Sequence, residues 1–331
     1  MAALEELVLE LTDQCPQRCL HCSSNSGPTE HAELRPSVAT RLVTEASELG
    51  ARKLSLGGGE PTASPLFLEI LHKANNRGLA VEIFTCGVTQ EDTPWPRELI
   101  DEVRHLHPLK AIFSVHGPDE ETHDGITQKP GSFCTMAESL TRCVEAGIHC
   151  ETNFVPLKLN FCHFREVVEL SAARGAKRLS VLRFVPQGRG LQNRVGLELS
   201  REQENMFLSD LQEYRRRAPI DIRTGSPFNG IVPGEPVPCR AGTEKLVVQA
   251  DGNVLPCEVF KHATVREWGL SVYERSLREI LSSPNLLPLR NLLRHGNCIT
   301  CPVHSMLRTL QMRGDTDATE RRQVPKSAVH V

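Results

Sequence analysis

Short apolar runs alternate with amphipathic segments over the first two thirds of the chain. Runs of four to eight mainly aliphatic residues predict strands, and apolar residues at helical spacing predict helices. The predicted strands are residues 7–12, 53–56, 79–85, 109–115, 148–155 and 178–185. The predicted helices are residues 36–50, 66–75, 97–105, 133–146, 163–173 and 200–217, the last beginning with a Ser200/Gln203 capping box.

Six strand–helix alternations with short connections predict a parallel sheet with helices packed outside it. Six units are too few for a closed eightfold barrel, so the pattern leaves an open sheet or a partial barrel. In both architectures, binding sites form at the C-terminal ends of the strands.

The last third of the chain has a different composition. Residues 224–238 are dense in Gly and Pro, which predicts a linker or a long loop. Two short apolar runs, 246–249 and 253–255, flank the turn dipeptide Asp251-Gly252 and predict a hairpin. A helix is expected from Ser276 to about Arg294. We therefore divide the chain into residues 1–223, a small α+β domain at 224–305, and a polar tail at 306–331.

Charge and hydropathy exclude several classes of protein. The 331 residues carry a net charge of −3 and no basic footprint for nucleic acid. The basic run at 215–217 ends a predicted helix, where cations suit the negative end of the helix dipole. No apolar run is long enough to span a membrane, and no signal peptide is recognisable, so a cytoplasmic protein is expected. Twelve cysteines in such a protein favour metal binding or catalysis over disulfides.

Three cysteines, Cys15, Cys19 and Cys22, follow the first predicted strand with the spacing C-x3-C-x2-C. Thiolates are soft ligands that suit iron–sulfur clusters, zinc or Cu(I). Three of them can hold three corners of a cubane cluster and leave the fourth iron open to a small molecule. The alternative is a structural zinc site, but that takes four ligands, and His21 is poorly placed between two of the cysteines.

The second predicted strand runs directly into Gly57-Gly-Gly-Glu60. Glycine-rich loops between a strand and a helix often bind phosphate. This one lacks the Lys-Ser/Thr of a P-loop, and the Glu60 carboxylate would repel a phosphate. An amine is a better partner for this group.

Together, the two motifs resemble those of the radical S-adenosylmethionine (radical SAM) superfamily. The resemblance implies a partial (β/α)6 TIM-like barrel and a 4Fe–4S cluster held by the three cysteines of the first motif. It also implies reductive cleavage of S-adenosylmethionine to a 5′-deoxyadenosyl radical that abstracts hydrogen from a substrate. By the same resemblance, Gly58, Gly59 and Glu60 contact the methionine amine. His21 stands where the family usually has an aromatic residue near adenine.

Other strand ends supply further candidate contacts. Ser114 and Asn153 could hydrogen-bond to ribose, and Arg183 could pair with the methionine carboxylate. His116 and Asp119 fall in the same region and could face either cofactor or substrate. For each of these residues the alternative is an ordinary polar residue that caps a strand or bridges to a loop.

Cys86 follows the third predicted strand in a Thr-Cys-Gly sequence where the family more often has Thr-Asn-Gly. It is either a packing residue or a thiol that donates a hydrogen atom to a substrate radical. Cys143 and Cys150 lie on or beside predicted barrel elements and are expected to be buried as small hydrophobic residues.

Four further cysteines, Cys239, Cys257, Cys298 and Cys301, form a second set. The predicted hairpin brings the first two together, and the C-x2-C pair completes four ligands for one zinc or one 4Fe–4S cluster. The pattern resembles the twitch domain, an abridged form of the SPASM domain, which implies one auxiliary 4Fe–4S cluster.

The resemblance implies an oxidative modification of a peptide, such as maturation or crosslinking, or of a small natural product. The alternative substrate class is an aminoglycoside or sugar that undergoes dehydrogenation or epimerisation. Flavodoxin or ferredoxin is the expected electron donor. The competing non-enzymatic interpretation is a zinc- or cluster-bearing binding module.

Overall fold

One sheet organises the protein, and the cysteine motif follows its first strand in the sequence. The structure is a computed structural model that describes residues 4–224, 239–261, 269–287 and 290. The strands are β1 Glu6–Thr12, β2 Lys53–Gly58, β3 Ala80–Thr85, β4 Leu109–Ser114, β5 His149–Phe154, β6 Arg178–Val181, β7 Asp221–Thr224, β8 Lys245–Val248 and β9 Val254–Leu255. Their order is β7-β6-β5-β4-β3-β2-β1-β8-β9, and only β9 is antiparallel.

Ten helices are described, and the longer ones among them pack against the sheet. They are α1 Pro36–Glu48, α2 Phe67–Asn76, α3 Arg97–Val103, α4 Glu120–Thr127, α5 Ser132–Glu145, α6 Phe164–Ala173, α7 Arg189–Gln192, α8 Arg194–Leu197, α9 Arg201–Tyr214 and α10 Leu277–Ser282. In the described residues the sheet is open, with β7 and β9 at its edges. The predicted α/β partial barrel is therefore confirmed, as is the capping box at Ser200 and Gln203.

Strand β1 shows how its sequence determines its two faces. Side chains alternate across a strand, so every second residue of Glu-Leu-Val-Leu-Glu-Leu-Thr points the same way. Leu7, Leu9 and Leu11 are fully buried in the main core. Glu6 and Glu10 instead line a cavity inside the curved sheet. We call this cavity of about 480 Å³ the lumen.

Three elements differ from the sequence prediction. Strand β7 was missed because its four residues alternate between exposed and buried and stand directly before the Gly/Pro-rich segment. Helix α4 was missed because its sequence is polar and contains Gly125. The helix predicted from Ser276 to about Arg294 is wrong in length, since α10 ends at Ser282 before Pro284, which has no N–H to continue a helix.

The predicted hairpin is present as β8 and β9, but it is part of the main sheet. Strand β8 pairs with β1 in parallel, from Glu6 opposite Lys245 to Leu9 opposite Val248. Strand β1 thus has a parallel neighbour on each side. Strands β8 and β9 therefore extend the barrel sheet beyond β1.

A row of charged side chains crosses the sheet, with one residue on each strand from β8 to β7 and strictly alternating sign. We call it the ion-pair belt. Its N–O distances are Lys245–Glu6 3.6 Å, Glu6–Lys53 3.3 Å, Lys53–Glu82 3.0 Å, Glu82–Lys110 3.9 Å, Lys110–Glu151 3.0 Å, Glu151–Arg178 3.5 Å and Arg178–Asp221 2.7 Å. A one-residue slip of any strand would move its charge to the opposite face, so the belt favours a single register.

We predict that Glu151→Gln lowers the free energy of unfolding by about 2 kcal/mol at neutral pH, because a buried carboxylate with charged partners is lost. Burial by itself raises the pKa of Glu151, but the hydrogen bond and charge of Lys110, together with His149 and Arg178, outweigh it, and the pKa lies below its ordinary value. The carboxylate's contribution is therefore complete above about pH 4.3, the ordinary glutamate pKa, and is lost as pH falls through the depressed folded value. Urea unfolding at several pH values measures both effects.

The matched control is Glu102→Gln, which removes an exposed carboxylate 3.4 Å from His72. It should change stability by less than about 0.5 kcal/mol. Equal losses for the two variants would contradict a stabilising role for the belt.

Candidate functional site

The three motif cysteines lie on the segment that directly follows β1, which we call the cysteine loop (residues 13–27). Cys15, Cys19 and Cys22 all line a cavity of about 370 Å³ at the C-terminal ends of the strands. The loop is closed on itself by a hydrogen bond from the Cys15 amide to the Gly27 carbonyl (3.1 Å).

The end of β2 supports this loop through backbone contacts. The Gly59 amide donates to the Thr12 carbonyl and the Glu60 amide to the Gln14 carbonyl, each at 2.8 Å. Gly58 has a φ of +108°, and a Cβ on Gly59 would lie 2.1 Å from the Gln14 oxygen. The glycines are thus required for the two strand ends to approach each other.

The Glu60 side chain is buried and is not among the residues that line the cavity. Its carboxylate accepts hydrogen bonds from the hydroxyls of Thr62 and Thr85 (2.8 Å each) and from the Cys86 amide (2.7 Å). Burial raises its pKa, and these donors oppose that shift. In this structure Glu60 ties the end of β2 to the end of β3, and its contact with an amine remains a prediction.

Strand-end residues predicted as cofactor contacts converge on the same cavity. Those that line it are His21, Gly58, Gly59, Ser114, Asn153 and Arg183. The buried His116 also lines it. Asp119 does not: it is exposed and caps α4, where its carboxylate accepts a hydrogen bond from the Thr122 amide (2.8 Å). The expectation that Asp119 faces the site is therefore wrong.

Two histidines form one wall of the cavity. The His21 and His116 rings lie with their centroids 4.6 Å apart. Burial lowers the pKa of both, that of His21 to about 4, so both are neutral at pH 7. Neither Nδ1 atom has a hydrogen-bond partner among the described residues. Both can therefore meet a polar atom of a ligand without displacing an existing bond.

Cys86 lines the cavity as predicted. Its thiol contacts the Val88 carbonyl (3.6 Å). Burial raises the thiol pKa well above its ordinary value, and the neighbouring Cys15 adds to that shift. The Cys86 thiol thus stays protonated beside one of the motif cysteines.

Sequence reasoning missed a segment that holds the cysteine loop from the other side. We call residues 187–193 the brace. Arg189 Nε donates to the Cys19 carbonyl (3.1 Å), and its guanidinium also reaches the Ser26 carbonyl. Asn193 Nδ2 donates to the Leu20 carbonyl (3.0 Å). The available signal was the Gly188-Arg189-Gly190 run after β6, which resembles an ordinary loop in the sequence.

The residues present fit an iron–sulfur cluster. No group of three or more His, Cys, Asp or Glu side chains in the described part of the chain is arranged around one metal ion. A cubane does not require this, because each thiolate binds a different iron. The three motif cysteines line one cavity. Burial is the largest cause that raises the pKa of the Cys19 thiol, and the neighbouring Cys15 and Cys22 raise it further. The positive charge of Arg189 opposes this shift.

Two of the four cysteines in the second set are described. Cys239 and Cys257 pack against the same small apolar cluster. The Gly242 amide donates to the Pro256 carbonyl (3.1 Å), which places the segments next to these cysteines side by side. Cys257 also lines the lumen. Cys298 and Cys301 lie outside the described residues.

An open parallel barrel with cysteines and a glycine-rich strand end on one cavity defines a site for a redox cofactor. The family described as the radical SAM superfamily matches residues 9–171, and the SPASM family, described as an iron–sulfur cluster-binding domain, matches residues 239–302. The chain belongs to the radical SAM superfamily. It is an enzyme that depends on S-adenosylmethionine and 4Fe–4S clusters, so the interpretation as a non-catalytic binding module is not supported.

Named relatives cover most of the chain. It is 30% identical over 270 residues to an AdoMet-dependent heme synthase from Methanosarcina barkeri, which covers 75% of each chain. It is 28% identical over 279 residues to a PqqA peptide cyclase from Granulibacter bethesdensis, covering 80% of this chain and 72% of the relative. Streptococcus suis SuiB bound to its precursor peptide SuiA has a similar fold, with a TM-score of 0.69 at 16% identity, over 88% of this chain and 67% of SuiB.

We predict that Gly59→Ala lowers the free energy of unfolding by about 3 kcal/mol or more, because the new methyl group meets backbone atoms of the cysteine loop. The iron content of this variant after anaerobic reconstitution should also fall. The control is Gly125→Ala in α4, where a Cβ meets nothing within 4 Å and φ is not in the left-handed region. Normal iron loading and normal thermal stability of Gly59→Ala would contradict the proposed contact.

Proposed function

We propose that this enzyme modifies a peptide by radical oxidation, as in peptide maturation or crosslinking. The observation that carries the chemistry is the convergence of the cysteine loop and the end of β2 on one cavity. The PqqA peptide cyclase relatives and the fold shared with SuiB support a peptide as substrate. They do not favour the alternative of a sugar or aminoglycoside dehydrogenase.

In this proposal Cys15, Cys19 and Cys22 hold the first 4Fe–4S cluster. When bound, that cluster supplies the electron that cleaves S-adenosylmethionine to a 5′-deoxyadenosyl radical. The chain's own residues bind and orient the cofactor. Ser114 and Asn153 offer polar side chains at adjacent strand ends, and His21 presents its ring beside the cysteines.

The lumen gives the substrate room next to the cofactor. It shares lining residues with the cysteine cavity, among them Phe84, Asn153 and Leu182. A residue of the substrate peptide can therefore enter from the lumen side while the cofactor occupies the strand ends. The lumen is lined by charged residues of the ion-pair belt, such as Glu6, Lys53 and Glu82. Towards the cysteine cavity it is lined by both apolar and polar residues, among them Phe84 and Asn153.

We further propose that Cys239, Cys257, Cys298 and Cys301 hold one fully ligated auxiliary cluster, and that flavodoxin or ferredoxin supplies electrons. The division into residues 1–223, 224–305 and 306–331 is part of the same proposal. None of the helices in the described ranges is long and apolar enough to cross a membrane.

Anaerobic reconstitution tests the catalytic proposal. We expect about eight irons per chain, two cubanes of four, and formation of 5′-deoxyadenosine when dithionite and S-adenosylmethionine are added. The triple variant Cys15→Ala/Cys19→Ala/Cys22→Ala should retain about four irons and form no 5′-deoxyadenosine. Full cofactor cleavage by the triple variant would overturn the ligand assignment.

The substrate is tested with short peptides encoded beside the gene for this enzyme. A peptide substrate should lose two hydrogens, visible by mass spectrometry as a loss of about 2 Da, and should increase 5′-deoxyadenosine formation. Cofactor cleavage with no change in any such peptide, but turnover of a small natural product, would contradict the peptide assignment.

Cys86 is proposed as the hydrogen-atom donor in a branch where a substrate radical is quenched rather than oxidised, because its protonated thiol lines the cavity beside Cys15. The quenched product keeps the mass of the substrate, and the Cys86 thiyl radical left behind takes an electron from the flavodoxin or ferredoxin donor and a proton. Cys86→Ala should still form 5′-deoxyadenosine while formation of the mass-neutral, quenched product falls at least about tenfold, a barrier change of about 1.4 kcal/mol. Cys86→Ser keeps the size of the side chain and should behave like Cys86→Ala. An unchanged product yield in both variants would leave Cys86 as a packing residue.

A further inference from the structure

A buried lysine connects the second cysteine set to the first. Lys261 stands four residues after Cys257, at the end of the short 3-10 turn Glu258–Phe260. Its ammonium donates to Ser24 Oγ (2.6 Å), two residues after Cys22. It also forms a close ion pair with Glu10, on the strand that leads into the cysteine loop.

The position of Lys261 makes its charge effective. Both Lys261 and Glu10 are less than 10% exposed, so water screens their fields weakly. Burial opposes the charge on Lys261, but Glu10 and Cys22 raise its pKa above the ordinary value. The side chain is thus a permanent cation that lines both the cysteine cavity and the lumen.

A second, partly buried lysine lies beside Cys257 and not beside the cysteine loop. Lys245 begins β8, and its ammonium lies 2.8 Å from the Glu258 carboxylate. The Cys257 thiol contacts the same carboxylate (3.2 Å). Lys245 is thus linked to Cys257 through the Glu258 carboxylate, whereas Lys261 is linked to the cysteine loop through Ser24.

We propose that Lys261 is a positioning residue that raises the reduction potential of the first cluster. The inference rests on the proposed assignment of Cys22 and Cys257 as ligands. A nearby cation stabilises the reduced cluster, because reduction adds one negative charge. Lys261 also anchors the segment after Cys257 to the cysteine loop through Ser24. The part of the chain that carries Cys257 therefore helps to set the reduction potential of the first cluster.

A redox titration followed by electron paramagnetic resonance tests this in the reconstituted full chain. The first cluster is identified as the signal that changes when S-adenosylmethionine is added. In Lys261→Met, the ratio of reduced to oxidised first cluster at a fixed potential should fall about tenfold, with little change in the auxiliary signal. Lys245→Met is the matched control and should leave the ratio of reduced to oxidised first cluster unchanged, and Lys261→Arg should restore that ratio.

Glu10→Gln separates charge from structural damage. It removes a negative charge next to Lys261, so the reduced fraction of the first cluster should rise. Damage to the loop would move the Glu10 and Lys261 variants in the same direction, and this result would overturn the inference. Unchanged potentials in Lys261→Met with normal 5′-deoxyadenosine formation would also overturn it and leave the proposed function intact. A wild-type protein that binds no iron would contradict both this inference and the proposed function.

Discussion

The close approach of two backbones is the constraint on which the site depends. The end of β2 donates amides of Gly59 and Glu60 to carbonyls of Thr12 and Gln14, and no side chain larger than hydrogen fits at Gly59. The cysteine loop is thus held by main-chain hydrogen bonds, with the brace holding it from the other side through Arg189 and Asn193. Because the loop is held through its backbone carbonyls, its cysteine side chains are not needed to hold it in place and can line the cavity.

Strand β1 carries both the site and the stability of the sheet. Its leucines enter the core, and its glutamates face the lumen. Glu6 belongs to the ion-pair belt at one end of the strand, and Glu10 meets Lys261 near the other. Because strand register decides which face each side chain occupies, the belt that holds the register also keeps the cysteine loop above the lumen.

Much of the fold could be predicted because its signals are local. The six strand–helix alternations, the hairpin turn at Asp251-Gly252 and the burial of Cys143 and Cys150 all follow from short-range patterns. The belt and the pairing of β8 with β1 could not be predicted, since they join residues as far apart as Glu6 and Lys245. The role of Arg189 was missed for the same reason: its partner Cys19 is 170 residues away in the sequence.

Glu60 shows that a motif can locate a residue without revealing its contacts within the protein. Its place after β2 predicts a cofactor contact, and its oxygens also accept hydrogen bonds from Thr62, Thr85 and Cys86, which the motif did not indicate. The carboxylate binds the ends of two strands together, and the cavity wall is left to the glycines before it. Cys257 is the converse case, because its place opposite the start of β8 follows from the hairpin, whereas its opening onto the lumen depends on β8 joining β1. Strand β1 spans about 20 Å at 3.3 Å per residue, so Cys257 lies towards the opposite end of this strand from the cysteine loop, and the two face connected cavities.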